Sequence, residues 1–114
     1  MSQRFIIEAD GGSRGNPGIA GSGAIVIDAD TGELLYEIAE FVGVATNNVA
    51  EYRAVIAALR IIKEHESPVA VHVRMDSKLV IEQLSGNWKV KHPDMRTLAI
   101  EAQTLLSRMS ASFE

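Results

Sequence analysis

The 114-residue sequence has no cysteine, only three prolines and one tryptophan, and no apolar run long enough to cross a membrane. Without cysteine there can be no disulfide and no thiolate metal site, which fits a reducing cytoplasm. The residues at 1–4 are too polar for a signal peptide, so we expect a cytoplasmic protein. Basic residues are also scarce: 11 lysines and arginines against 15 acidic residues give a net charge of −4. The chain therefore lacks the basic surplus that is typical of non-specific nucleic-acid binding.

What the sequence does contain is an apolar fraction of 46% in a length that suits one domain. Alternating apolar residues predict strands over 4–10, 21–28, 33–42 and 69–76, with a fifth beginning at Ser110. Helical spacing predicts helices over 49–64, 77–84 and 94–108. A glycine- and proline-rich turn is predicted over 11–18. This order of strands and helices predicts an α/β fold.

Three acidic residues lie at the ends of predicted elements. Asp10 closes the first strand, Glu51 lies at the start of the first helix, and Asp76 ends the fourth strand. If the first and fourth strands are parallel neighbours, Asp10 and Asp76 stand side by side at the same edge of the sheet. Carboxylates are ligands for divalent cations, and such a cluster suits a nuclease that cuts phosphodiesters with Mg²⁺.

Each acidic residue also has a purely structural interpretation. Asp10 precedes two glycines and could form a turn, while Asp76 precedes a helix and could be its N-cap. Glu51 lies three residues after Asn48 and could complete a capping box.

The same strand geometry predicts a contact between Glu8 and Arg74. Each lies two residues before a proposed metal ligand, on the face of its strand that also carries that ligand. In neighbouring parallel strands the two side chains should stand level and form an ion pair.

The motifs around the acidic residues resemble those of the ribonuclease H type 1 family. The stretch Asp10-Gly11-Gly12-Ser13-Arg14-Gly15-Asn16-Pro17-Gly18, followed by Gly21-Ser22-Gly23-Ala24, is similar to the family's first turn and second strand. Thr46-Asn47-Asn48-x-x-Glu51 is similar to its second motif, and Asp76-Ser77 to its third. The similarity runs over the whole chain, with the motifs in the family's order.

The resemblance implies a ribonuclease H-like fold, a mixed five-stranded sheet flanked by helices. Strands 1 to 3 would be antiparallel, and strands 4 and 5 would run parallel to strand 1. It implies an endonuclease that hydrolyses the RNA strand of RNA–DNA hybrids with two Mg²⁺ ions per site, for which Mn²⁺ can substitute. The products would end in 5′-phosphate and 3′-hydroxyl. The partner would be the hybrid and not a membrane. We expect a monomer, with a dimer through the exposed sheet edge as the alternative.

The resemblance also implies roles for individual residues. Asp10, Glu51 and Asp76 would be the catalytic carboxylates and metal ligands, with the Gly11 backbone as a further metal contact. The residues implied in substrate binding are Gly12, Ser13, Asn16, Thr46, Asn47, Asn48, Ser77 and Trp88. Of these, the asparagines would read the hybrid's minor groove, where RNA 2′-hydroxyls are exposed. Thr46 would hold a DNA-strand phosphate, and Trp88 would lie along the DNA strand.

The sequence departs from the family pattern in two places. The family's fourth carboxylate, at the start of a C-terminal helix, and the His-bearing loop before it have no counterpart up to Glu114. We therefore expect 1–114 to be a single ribonuclease H domain that lacks this helix, and the functional chain to continue. After Gly86 the chain also lacks the basic protrusion of many bacterial members, which predicts weaker, more salt-sensitive binding.

Two other functions stay open at this point. A domain without the fourth carboxylate could be a hybrid-binding module with little or no turnover. The chain could also have another role within the nuclease superfamily, although Thr46-Asn47-Asn48 favours a reader of hybrids.

Overall fold

The computed structural model describes residues 3–65 and 68–114, and residues 1, 2, 66 and 67 of the predicted domain lie outside that description. Within it, strands and helices follow one another in the predicted order. The strands are β1 (Gln3–Arg14), β2 (Gly18–Asp28), β3 (Leu34–Ala45), β4 (Val69–Arg74) and β5 (Ser110–Phe113). The helices are α1 (Asn47–Ile62), α2 (Lys78–Leu84) and α3 (Pro93–Leu106).

The five strands form one mixed sheet in the order β3-β2-β1-β4-β5. The β1–β2 and β2–β3 pairs are antiparallel, whereas the β1–β4 and β4–β5 pairs are parallel. The predicted mixed sheet is therefore confirmed, including the parallel pairing of the first and fourth strands. That pairing requires a crossover between β3 and β4, and α1 provides it.

The core lies between the sheet and the helices. Along β1 the side chains of Phe5, Ile7 and Ala9 are buried, because alternate residues of a strand face the same way. The fully buried Leu59 and Ile62 of α1 belong to the same apolar cluster. Burying a side chain of this size stabilises a fold by about 1.5–3 kcal/mol. Because Phe5, Ile7 and Ala9 face the core, Glu8 and Asp10 of β1 lie on the opposite face of the sheet.

The predicted turn over 11–18 is too long. Backbone pairing between β1 and β2 continues from Gly11, opposite Ser22, to Arg14, opposite Ile19. The turn is confined to 15–17, where the Asn16–Pro17 peptide is cis. Glycine is required at its end, since a Cβ on Gly18 would lie 1.5 Å from the Arg14 carbonyl oxygen. A glycine-rich stretch can form strand pairs as well as turns, so composition alone placed the end of the first strand too early.

Among the described residues, no helix is both long and apolar enough to cross a membrane.

Candidate active site

Asp10 lies within β1, with Gly23 of β2 as its register partner. Its side chain is exposed, on the strand face opposite the buried Ala9. The interpretation of Asp10 as a turn former is wrong, because the strand continues to Arg14. The carboxylate therefore stands on a rigid strand, and no local turn contact accounts for it.

Glu51 is the fifth residue of α1 and takes no part in capping it. Thr46 is the N-cap, and its Oγ1 accepts a hydrogen bond from the Val49 N–H at 3.3 Å. A capping box with Glu51 would need Asn48 at the N-cap, whereas Asn48 lies inside the helix. That structural interpretation of Glu51 is therefore wrong.

The start of α1 is held against the sheet at a point of close backbone approach. A Cβ on Gly11 would lie 2.4 Å from the Ala50 carbonyl carbon and 2.5 Å from the Glu51 nitrogen, so only glycine fits there. The buried Ser22, opposite Gly11 on β2, donates its hydroxyl to the Ala50 carbonyl oxygen at 2.5 Å. These contacts fix Glu51 beside the segment of β1 that carries Asp10.

Asp76 follows β4, the parallel neighbour of β1. The N-cap of α2 is the next residue, Ser77, whose Oγ accepts a hydrogen bond from the Val80 N–H at 3.3 Å. The interpretation of Asp76 as a cap is therefore wrong, and its side chain is exposed.

The pKa of Glu51 depends on the groups that surround its carboxyl. Its pKa is raised above the ordinary value of 4.5, first because burial disfavours the charged form and also because the charge of Asp10 repels it. A hydrogen bond from the Ser77 side chain acts in the opposite direction and lowers the pKa. Asp10 and Ser77 are thus the two neighbouring residues that act on the Glu51 carboxyl group.

The chemistry of this donor set fits a hard divalent cation. Carboxylate oxygens are the ligands that Mg²⁺ accepts, and within the described ranges neither Asp10 nor Asp76 forms an ion pair. The repulsion between Asp10 and Glu51 is also what a bound cation would offset. Over the same ranges, no three His, Asp or Glu side chains are gathered into a group that could hold a metal ion. Convergence of all three carboxylates on a single metal site stays a prediction.

Three of the residues implied in substrate binding form one polar cluster between the β1–β2 turn and α1. The side-chain oxygen of Asn47 accepts a hydrogen bond from the Ser13 N–H at 2.7 Å. The Asn47 N–H in turn donates to the Asn16 side-chain oxygen at 3.0 Å. Gly12 lies next to this cluster, with open space where its Cβ would be. The cluster locks the turn to the helix that carries Glu51.

Trp88 lies away from this cluster, beyond the end of α2. Its side chain is 43% exposed, and the Lys78 Nζ lies 5.9 Å from the ring centroid. This geometry is that of a cation–π contact. The structure therefore places an aromatic platform beside α2, against the side chain of the first residue of that helix.

One pair of buried polar residues was missed from the sequence. Tyr52 and Gln83 are buried, and the Tyr52 hydroxyl donates a hydrogen bond to Gln83 Oε1 at 2.6 Å. Burial raises the pKa of Tyr52 to about 12, so its hydroxyl stays protonated. The sequence did offer one indication, because Gln83 falls on the apolar face of α2. Residue spacing could not identify Tyr52 as its partner.

This fold, with acidic residues on β1, on α1 and just after β4, is a ribonuclease H-like fold. The sequence model of the family described as "Reverse transcriptase-like" matches residues 8–114. The chain belongs to this family, and relatives that share its fold are ribonucleases H of type 1.

Three similar proteins show how far the likeness extends. The chain is 56% identical over 106 residues to the bifunctional protein Rv2228c of Mycobacterium tuberculosis, covering 92% of this chain and 29% of that protein. The structure of that protein's N-terminal RNase H domain superposes with a TM-score of 0.91 at 52% identity, covering 97% of this chain and 85% of the other. Ribonuclease HI of Halobacterium salinarum is 42% identical over 98 residues, covering 86% of this chain and 48% of that enzyme. LC11-RNase H1 in complex with an RNA/DNA hybrid gives a TM-score of 0.89 at 36% identity, covering 96% of this chain and 83% of the other. The chain thus spans less than half the length of Rv2228c and of the Halobacterium salinarum enzyme.

Proposed function

We propose that this chain is a metal-dependent endoribonuclease that hydrolyses the RNA strand of RNA–DNA hybrids, leaving 5′-phosphate and 3′-hydroxyl ends. The supporting family likeness includes a solved relative, LC11-RNase H1, in complex with an RNA/DNA hybrid. The observation that carries the proposal is the close approach of α1 to β1 at Gly11, which places Glu51 beside the segment of β1 that carries Asp10. Burial and, to a smaller extent, the charge of Asp10 raise the pKa of Glu51, and a bound cation would offset the repulsion between the two carboxylates.

In this proposal Asp10, Glu51 and Asp76 hold divalent cations, Mg²⁺ or Mn²⁺, through their carboxylate oxygens, with the Gly11 backbone nearby. When bound, such ions supply an activated water and stabilise the charge that develops on the phosphate and on the leaving 3′-oxygen. The chain's own part is to orient the ligands. The side chain of Ser77 favours the charged form of Glu51, against the larger effect of burial on its pKa.

The polar cluster of Ser13, Asn16 and Asn47 would face the minor groove of the hybrid, together with Gly12 and Asn48. RNA is distinguished from DNA by its 2′-hydroxyls, which lie in that groove and need fixed donors and acceptors to be read. The hydrogen bonds from Ser13 to Asn47 and from Asn47 to Asn16 supply this fixation.

The other strand would be held by Thr46 and Trp88. The Thr46 oxygen is occupied as the cap of α1, but its hydroxyl hydrogen is available to a DNA-strand phosphate. Trp88 would stack on the DNA strand, and Lys78 beside it would meet a phosphate.

The test is cleavage of a hybrid whose RNA strand is labelled, with double-stranded RNA, double-stranded DNA and single-stranded RNA as controls. We expect cleavage of the hybrid alone, in Mg²⁺ or Mn²⁺ and not in a chelator, and loss of cleavage in Asp10→Asn. Hybrid binding without cleavage in either metal would support the binding-module alternative. Cleavage of double-stranded RNA at a similar rate would overturn the assignment of the hybrid as substrate.

A further inference from the structure

Apart from Tyr52 with its hydroxyl, Gln83 and Ser22 are the two polar residues that are buried in the described part of the chain. A buried amide destabilises a fold unless both of its ends are hydrogen-bonded. The Gln83 oxygen accepts from the Tyr52 hydroxyl at 2.6 Å, and its nitrogen donates to the Lys89 carbonyl oxygen at 3.4 Å. The amide therefore joins α1 to a segment that follows α2.

That segment, residues 87–90, carries Trp88 between two attachments. On one side the N–H groups of Asn87 and Trp88 both donate to the Glu82 carbonyl oxygen, at 2.9 Å and 3.1 Å. On the other side the Lys89 carbonyl accepts from Gln83. The backbone on both sides of the Trp88 ring is thus tied to consecutive residues of α2.

The other side of this link reaches the acidic site. Tyr52 directly follows Glu51 in α1, and its hydroxyl is hydrogen-bonded to Gln83, near the C-terminal end of the seven-residue α2. This bond therefore joins the residue next to Glu51 to the end of α2 that leads into Trp88.

We propose that Gln83 is a positioning residue for the nucleic acid: its buried amide fixes the segment 87–90, and so the Trp88 platform, at a set distance from Glu51. The inference deepens the proposed function and rests on it, because Trp88 is taken as the contact for the DNA strand. Gln83 itself touches no substrate in this proposal. Its loss should weaken hybrid binding and leave turnover of bound hybrid unchanged.

The test uses Gln83→Met, which keeps the length of the side chain and removes both hydrogen bonds, and Tyr52→Phe, which removes only the donor to Gln83. The matched control is Gln103→Met, because the Gln103 amide also donates to a carbonyl at the end of α2, that of Leu84, at 2.8 Å. Trp88 is the single tryptophan of the chain, so its fluorescence reports the segment directly.

We expect Gln83→Met to increase acrylamide quenching of Trp88 and to raise KM for the hybrid by about three- to tenfold, with kcat unchanged. This is the effect of losing one hydrogen bond, the bond to the Lys89 carbonyl that holds the segment. Tyr52→Phe should shift both quantities in the same direction by less, and it remains informative if Gln83→Met does not fold. Gln103→Met should leave both at parental values.

The inference would be overturned if Gln83→Met showed the same quenching and the same KM as the parent. If that variant does not fold, the same result in Tyr52→Phe would overturn it. An equal change in Gln103→Met would also overturn it. If the parent cleaves no hybrid, the proposed function fails. The fluorescence comparison among the variants then still decides whether Gln83 fixes the segment.

Discussion

Glu8 and Arg74 occupy the same register position on the parallel strands β1 and β4, with the Arg74 Nη1 3.7 Å from the Glu8 Oε1. The sequence-based prediction that they stand level on one face and pair is confirmed. Arg74 also reaches across β4 to Glu114, whose Oε1 lies 3.3 Å from its Nε. One guanidinium thus links three neighbouring segments of the sheet just before Asp76.

Arg74→Met should have only a small effect on stability, because the side chains of Arg74 and Glu8 are about half exposed to water. Loss of the Glu8 pair should lower the free energy of unfolding by at most about 1 kcal/mol at low salt, and by less as salt is added. The pKa of Glu114, held low by His72 and also by Arg74, should rise. Urea unfolding at two salt concentrations and carboxyl titration by NMR measure these effects.

The matched variant for that prediction is Arg4→Met, which removes the somewhat more exposed ion pair with Asp30. It should cost a similar amount of stability and leave the pKa of Glu114 unchanged. A salt-independent loss in Arg74→Met would show that packing of the arginine side chain, and not its charge, is what matters.

Asp10→Asn and Asp76→Asn should each abolish hybrid cleavage in Mg²⁺ while the protein stays folded. Neither aspartate forms a turn or caps a helix, so neutralisation removes no structural contact of that kind. Asp10→Asn also relieves repulsion of Glu51 and should melt at the parental temperature or above it. The control is Asp30→Asn, an exposed aspartate paired with Arg4, which should cleave normally. Inactive variants that are also unfolded would contradict the prediction.

Two substitutions should move the pKa of Glu51 in opposite directions. Asp10→Asn removes a negative charge that raises it, so the pKa should fall, whereas Ser77→Ala removes a hydrogen bond that lowers it, so the pKa should rise. Titration of the Glu51 carboxyl by NMR in the absence of divalent cations measures both. Shifts of the same sign in the two variants would show that the neighbours of Glu51 have been misidentified.

Glu51→Gln should make the stability of the metal-free protein less dependent on pH. The folded-state pKa of Glu51 is raised, so its charged form is disfavoured by folding. The cost is absent below the ordinary value of 4.5 and is fully present once pH exceeds the raised pKa. The variant should therefore match the parent in acid and exceed it at neutral pH, as measured by urea unfolding across that range. Equal stabilities at every pH would contradict this.

Gly11→Ala should be strongly destabilising. Its Cβ would fall 2.4 Å from the Ala50 carbonyl carbon, and because that neighbour is backbone, strand and helix must separate. Overpacking of this kind costs about 1–3 kcal/mol. Gly12→Ala is the matched control for stability, since nothing lies within 4 Å of its Cβ position. Equal unfolding midpoints for the two variants would exclude the close approach as the device that places Glu51.

Element order could be predicted from periodicity, whereas the sheet topology was implied by the family resemblance. The Glu8–Arg74 pair followed from strand geometry once strands 1 and 4 were taken as parallel neighbours. The positions of Asp10, Glu51 and Asp76 at the ends of predicted elements indicated a cluster, and the resemblance strengthened that prediction. Helix starts were less certain: both Thr46 and Asn48 are good capping residues, and only the backbone conformation decides which one accepts the Val49 N–H.

Contacts between distant segments could not be predicted from the sequence. The Tyr52–Gln83 bond joins residues 31 apart on two helices, and its existence depends on how those helices pack. The end of β1 at Arg14 likewise depends on the backbone pairing that β2 provides opposite Gly11 and Gly12. In each case the local pattern allowed several conformations, and tertiary pairing selected one.

The crossover by α1 also determines which parts of the molecule can unfold locally without moving the three acidic residues. Asp10, Glu51 and Asp76 lie on or beside β1, α1 and β4, the elements around the middle of the sheet, whereas β3 forms its outer edge. Local openings begin at edges and termini, where fewer groups are buried. We therefore expect openings at the β3 edge to leave the acidic residues in place, whereas unfolding of the central crossover would separate Asp10, Glu51 and Asp76.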